Sequence, residues 1–317
     1  MAMNIAASDN RPRGMTRLKM FFALSRTPHG LLDMATPGLA ALLWLGKFPS
    51  AKTVVIGLIT TFAGYTAVYA LNDLVDYRTD KEKLRLGGFQ DSRNYLDAAI
   101  IRHPLAQGFL TVTEGFAWAG AWSVVALLGA FLLNPVCVLI FVAGCSIEII
   151  YCLMWKISPF RSLVSGVVKT SGAMAAIFAV DPDPSVSFLL LLFFWLFFWE
   201  IGGQNIPNDW AEIEEDRQLQ ARTILAQYGA EKASGIILGS LVLAVVMNLL
   251  LVRMPFQRFE VPYLAAFLLI ELVLLILPAY RLFKTKQRGD ALTLFRNASY
   301  YPLACLILVT IRIVIWH

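Results

Sequence analysis

Residues 53–80 read TVVIGLITTFAGYTAVYALNDLVDYRTD, an uncharged apolar run over 53–71 that ends abruptly in Asn72, Asp73, Asp76 and Asp80. About 20 apolar residues in helical form cross the ~30 Å hydrocarbon layer of a bilayer. The run therefore predicts a membrane-spanning helix that delivers a carboxylate cluster to one membrane face. The rest of the chain is made of the same material. Hydrophobic residues are 58% of its 317 and charged residues 15%, where a soluble domain carries roughly a quarter charged. Eight further apolar stretches, at 31–47, 115–133, 136–154, 162–180, 185–203, 232–252, 260–280 and 299–316, predict an all-α membrane protein of nine transmembrane helices around a central cavity.

Charge placement orients those helices. Of the 27 lysines and arginines, only Lys47, Lys52, Arg253 and Arg258 fall in loops on the far side, and Lys169 and Arg312 lie within spans. The remainder, from Arg11 and Arg13 of the N-terminal tail onward, share the near side, which the positive-inside rule makes cytoplasmic. The net charge of +5 is accordingly a signature of membrane orientation, and a nucleic-acid partner is not expected. The expected layout is an N-terminal cytoplasmic segment, 1–30, followed by one transmembrane domain, 31–317, with motif-bearing cytoplasmic loops at 72–114 and 204–231. No cleavage site follows the basic N-terminus, so no removable signal peptide is expected. Cys137, Cys145, Cys152 and Cys305 fall inside spans with no C-x-x-C pair and are expected to pack.

A second acidic run, Asp209-x-x-Glu212-x-x-x-Asp216, leaves the sixth span with the spacing of the first and on the same side. Positions i, i+3 and i+7 share a helix face, so each run lines up three carboxylates that repel one another at a few tenths of a kcal/mol per pair. Something cationic is expected between them. Mg²⁺ prefers hard oxygen donors and commonly completes its shell with phosphate oxygens. The candidate metal ligands are Asn72, Asp73, Asp76, Asp80, Asp209, Glu212 and Asp216. The bland alternative, ordinary solvated loop charge, does not explain why spacing, side and span position match. Lys169, inside a span, is expected either to contact a diphosphate or to pair with Glu148 or Glu200, Arg312 to snorkel to the interface, and Glu271 to make a helix–helix hydrogen bond.

These residues resemble the UbiA superfamily of intramembrane prenyltransferases, whose first motif, N-D-x-x-D-x-x-x-D, is matched without departure at Asn72–Asp80. Ser25-Arg26-Thr27-Pro28-His29, Arg102-His103-Pro104-Leu105, Tyr151 with Lys156, and Asp216-Arg217 through Arg222-Thr223-Ile224 are similar to further family segments. The resemblance implies a Mg²⁺-dependent enzyme of the lipid bilayer that ionises a prenyl diphosphate and transfers the allyl group to an aromatic, quinone-precursor-like acceptor. Asp73, Asp76, Asp209 and Asp216 would carry the chemistry, with Arg26, Asn72, Tyr151, Lys156, Lys169, Asn205 and Arg222 binding substrate. A bacterial inner membrane with the site on its cytoplasmic side is the expected setting. Two alternatives share the pattern: a UbiA-type terpene cyclase that uses no acceptor, and a membrane transporter. Glu212 stands where the family has Asp, Gln220 where it has Gly, and additional residues around 86–91 separate Asp80 from Arg102, which bears on the acceptor more than on the metal.

Overall fold

The computed structural model describes residues 16–86, 101–254 and 260–316; Arg11, Arg13, Arg258 and the additional residues at 87–91 lie outside them. Among the described residues every regular element is helical. Eight helices are long and apolar enough to cross a membrane, and they fall on eight of the nine predicted stretches. The ninth stretch, 31–47, differs. It holds only the end of α2 (Thr27–Asp33) and α3 (Ala35–Leu45), and a further short helix, α1 (Arg17–Leu24), precedes them. The break between α1 and α2 sits at Arg26, whose φ of 43° is left-handed, and Pro28 lies in the first turn of α2, where the ring's fixed φ suits a helix start.

The next helix, α4 (Ala51–Val75), is capped by Ser50, whose hydroxyl accepts from the Thr53 amide. It continues past Asp76 into α5 (Tyr77–Arg85). Beyond it come α6 (Val112–Leu133), α7 (Pro135–Leu153) and α8 (Arg161–Val180). A capping box starts α6: Thr111 accepts from the Glu114 amide while Glu114 accepts from that of Thr111. Such caps satisfy amides that a helix start otherwise leaves unpaired. In place of Gly129 on α6, any Cβ would stand 2.0 Å from Thr60 Oγ1, so α4 and α6 approach more closely than another residue would permit.

The sixth span is α9 (Val186–Trp199), one wide π turn over Glu200–Asn205, and α10 (Ile206–Ala211), followed by the short α11 (Ile213–Gln218). A π turn inserts an extra residue and re-aims the side chains around it. Here it carries Gly202, where a Cβ would lie 2.8 Å from the backbone oxygen of Ile237 on α12 (Ile224–Val252). The last spans are α13 (Val261–Glu271), a second π turn at Leu272–Ile276, α14 (Leu277–Thr285) and α15 (Arg288–Trp316).

Phe188, Trp195, Trp199, Phe267 and Tyr301 fill the largest apolar core, among α9 and α12–α15. Inside it, Tyr301 Oη donates to Glu271 Oε1 at 3.0 Å, Asn248 Nδ2 donates to the same oxygen at 2.7 Å, and Trp195 Nε1 donates to Tyr301 Oη at 3.0 Å. This is the helix–helix hydrogen bond expected of Glu271. Arg312 reaches Glu260 at 3.4 Å and is paired, where snorkelling was expected. Cys137, Cys152 and Cys305 are buried and Cys145 is partly so.

Candidate active site

The two acidic runs are joined through Lys83 of α5, which reaches Glu212 and Asp216 of the second run. Asp73 is 2% exposed, Asp209 5% and Asp216 1%, so the acidic runs are buried together and not spread over a solvated loop. Like charges at this density require cations, and the chain supplies several. His103 Nδ1 lies 3.0 Å from Asp73 Oδ1 and 2.8 Å from Asp80 Oδ2. Lys83 Nζ lies 2.7 Å from Glu212 Oε2 and 3.3 Å from Asp216 Oδ1, and Arg102 Nη2 is 2.7 Å from Glu212 Oε1. Arg26 Nη2 donates to Asn72 Oδ1 at 3.1 Å and reaches Asp73 Oδ1 at 3.3 Å.

The electrostatics divide the carboxylates into two kinds. Burial raises the Asp76 carboxyl to about 6 and Asp80 adds to this, with Arg161, Arg26 and Lys83 opposing. Burial likewise lifts Asp216 to about 7, helped by Asp209 and Glu212 and opposed by Lys83 and Arg161. Glu212 behaves in the opposite way: burial would raise it, but Lys83 and Arg102 together hold it well below the usual carboxylate range. For His103, burial favours the neutral ring, yet Asp80 and Asp73 raise its pKa to about 9. Protonated, His103 sets a positive charge beside Asp73 and Asp80, the run expected to hold Mg²⁺.

Oxygen donors suited to a hard divalent ion are present. Ligand atoms of Asp73, Asp80 and His103 all lie within 4.8 Å of one another. Asp209 Oδ2 and Asn205 Oδ1 are buried without a hydrogen-bond donor, a costly condition that a bound cation relieves. Carboxylate and amide oxygens at this density fit Mg²⁺. Glu212 fits less well than its place in the motif implies, because both its oxygens are engaged by cations.

Below the acidic rim lies a cavity of about 500 Å³ that runs from Arg26, Asn72 and His103 to Phe48, Pro49 and Val54 at the opposite end of α4. Phe48, Val54 and Leu58 line it and are also exposed on the outer surface. Its far end is therefore open toward lipid.

The predicted substrate residues divide. Arg26, Asn72, Tyr151, Lys169 and Asn205 all line this cavity. Tyr151 is held by Arg161 and receives a hydrogen bond from Asn205 Nδ2 at 3.0 Å. Lys156 and Arg222 do not line it: Lys156 pairs with Glu82 at 3.4 Å on the exterior, and exposed Arg222 donates to the Ile157 carbonyl at 3.4 Å. Lys169 is salt-bridged at 2.6 Å to Asp33, a partner contributed by the broken first span, in place of Glu148 or Glu200. Sequence reasoning passed over His103, Arg161 and Asp33. The signal for His103 was its place beside Arg102 in a motif-like segment, and for Asp33 its charge inside an apolar stretch.

The sequence profile of the UbiA prenyltransferase family matches residues 34–301. No curated protein sequence matches the chain. Among solved structures, a UbiA homologue from Aeropyrum pernix K1 is similar, with TM-score 0.69 and 18% identity over 90% of this chain and 97% of that one. A digeranylgeranylglyceryl phosphate synthase gives TM-score 0.68 and 17% identity over 94% and 99% of the two chains. A UbiA homologue from Archaeoglobus fulgidus bound to DMAPP and Mg²⁺ gives 0.64 and 15% over 92% and 99%. The structural likenesses establish the fold, and the profile, which spans most of the sequence, establishes the lineage: this integral membrane protein belongs to the UbiA prenyltransferase family.

Proposed function

We propose that the protein is a Mg²⁺-dependent prenyltransferase that moves an isoprenoid chain from a prenyl diphosphate to an aromatic acceptor. One observation carries this reading: two buried acidic runs lie directly beside Asn72, His103, Asn205 and Asn208, which line one end of an apolar cavity that follows the length of α4. That geometry suits a ligand with a polyanionic head and a long apolar tail. The A. fulgidus homologues were solved with DMAPP or GPP and Mg²⁺, which are such heads with their ion.

Asn72, Asp73, Asp76, Asp80, Asp209 and Asp216 would hold Mg²⁺, which supplies positive charge against the leaving diphosphate. Arg26 and Arg102, which both line the mouth, orient the diphosphate and stabilise charge as the C–O bond breaks. The tail extends into the cavity, where Tyr65, Tyr69 and Phe141 line the wall. Aromatic faces of this kind shelter an allyl cation and stabilise it through the ring quadrupole. The setting we propose is a bacterial inner membrane with the acidic mouth toward the cytoplasm, in line with the basic loops on that side.

The test uses purified full-length protein in nanodiscs with Mg²⁺ and geranyl, farnesyl or geranylgeranyl diphosphate, read by diphosphate release and by mass spectrometry of products. Asp73→Ala and Asp209→Ala are expected to lower release by about a hundredfold or more. Products without acceptor mass would move the assignment to a terpene cyclase. Ion flux without diphosphate release would move it to a transporter.

A further inference from the structure

The π turn at Glu200–Asn205 places a carboxylate inside the cavity, below the acidic mouth. Glu200 is 6% exposed and lines the cavity. Its Oε1 accepts a hydrogen bond from Ser165 Oγ at 2.6 Å, while its Oε2 is buried with no donor. Tyr65 lines the same cavity, and its hydroxyl is likewise buried without a partner. The charges around them are already committed. Lys169 is bound to Asp33 at 2.6 Å, and Glu148 accepts from Asn72 Nδ2 at 2.6 Å. A ligand that donates one hydrogen bond and accepts another completes this site. A second carboxylate on that ligand would face Asp33, Glu148 and Glu200 with the Lys169 ammonium already paired.

Resting on the prenyltransferase reading, we infer that Glu200 is the proton acceptor for the second substrate, and that this substrate is a neutral phenol whose hydroxyl sits between Glu200 Oε2 and the Tyr65 hydroxyl. The donor's allylic C–O bond breaks, and its electron pair leaves with the diphosphate. The phenol's ortho carbon forms the new C–C bond to the allylic carbon as the hydroxyl proton passes to Glu200 Oε2. The resulting dienone regains aromaticity when its ring C–H proton moves to the carbonyl oxygen. Glu200 then returns its proton to water, so each turnover releases one diphosphate and one proton. Ser165 is a positioning residue, which holds Oε1 and leaves Oε2 without a protein donor.

The experiment uses full-length protein in nanodiscs with Mg²⁺ and geranylgeranyl diphosphate. The acceptor probes are hydroquinone and 1,4-dihydroxynaphthalene against 4-hydroxybenzoate and 1,4-dihydroxy-2-naphthoate. Wild type is expected to prenylate the neutral probes at least about tenfold better by kcat/KM. Glu200→Gln keeps the shape without the base, and is expected to lose about a hundredfold in prenylated product. It should still release diphosphate, its allyl group being recovered as prenyl alcohol. Glu200→Asp, which restores a carboxylate, should recover part of the product. Preference for the carboxylate probes overturns the inference, as does undiminished prenylation by Glu200→Gln. Equal loss of diphosphate release and product in Glu200→Gln and Glu200→Asp also overturns it, because that pattern is structural damage. Absence of diphosphate release by wild type would instead overturn the transferase reading itself, and this assignment with it.

Discussion

Replacing Lys169 with methionine removes the ammonium that stands 2.6 Å from Asp33 Oδ2, where side-chain exposure is 12% for the lysine and 6% for the aspartate. Two unit charges at this separation attract by about 6 kcal/mol at an effective dielectric of 20, and most of this offsets the cost of burying them. The variant keeps that cost for Asp33 and loses the attraction. Tyr69, which also donates to Asp33, and water entering the cavity return part of it. The expected loss is about 3 kcal/mol, the lower end of the range for breaking a buried pair. Thermal unfolding of the nanodisc-embedded protein should show a fall in Tm on the order of 5–10 °C. Adding Asp33→Asn removes the stranded charge, and the double variant should recover most of the loss, with a coupling energy of about 2–3 kcal/mol. A Lys169→Met protein within about 1 kcal/mol of wild type would refute the reasoning. So would a double variant whose loss is the plain sum of the two single ones, because the pair would then not be electrostatically linked.

Glu271→Leu strands Asn248 and Tyr301 in the core and should cost about 2–3 kcal/mol, whereas Glu271→Gln retains an acceptor oxygen and should cost less than half as much, both read by chemical unfolding. Gly202→Ala drives a Cβ to 2.8 Å from the Ile237 carbonyl. It should destabilise by about 1–3 kcal/mol and lower kcat by displacing the π turn, and an unaltered melting curve would count against the tight approach of the π turn to α12. For His103 the folded pKa of about 9 lies above the free value near 6.5. Its ion pairs with Asp73 and Asp80 therefore stabilise the chelator-treated protein fully below pH ~6.5, and this contribution is lost as pH rises through about 9. Melting temperatures at pH 6 and 9.5 should differ more for wild type than for His103→Gln.

Span positions were legible because lipid imposes a one-dimensional rule: a helix must stay apolar for the thickness of the bilayer, and eight stretches obey it. The first stretch, 31–47, obeys it in composition but contains Asp33 and follows directly on Arg26 and Pro28. Each is tolerable only where backbone or charge finds a partner elsewhere in the fold, and those partners, Asn72, Asp73 and Lys169, lie far along the chain. The acidic runs were legible through spacing, which a helix converts directly into a shared face. What occupies the space between them was not. That His103, Lys83 and Arg102 come to rest on these carboxylates depends on how a loop folds back, and spacing carries no such information. The two glycines at 202–203 signal a break in the sixth span, but only the close approach to α12 shows that the break is a π turn that aims Glu200 inward.

The opening beside Phe48, Val54 and Leu58 places the tail groove in direct exchange with the bilayer. Acyl chains and a prenyl tail have the same solvent preference, so the hydrophobic effect hardly distinguishes a tail in the groove from one in surrounding lipid. Apparent substrate affinity then becomes a partition problem. It is governed by head-group recognition at the acidic mouth and by the mole fraction of prenyl diphosphate in the membrane, with neighbouring lipids as competing occupants. A KM expressed per volume of solution would change with the amount of lipid supplied, whereas one expressed per lipid would remain constant.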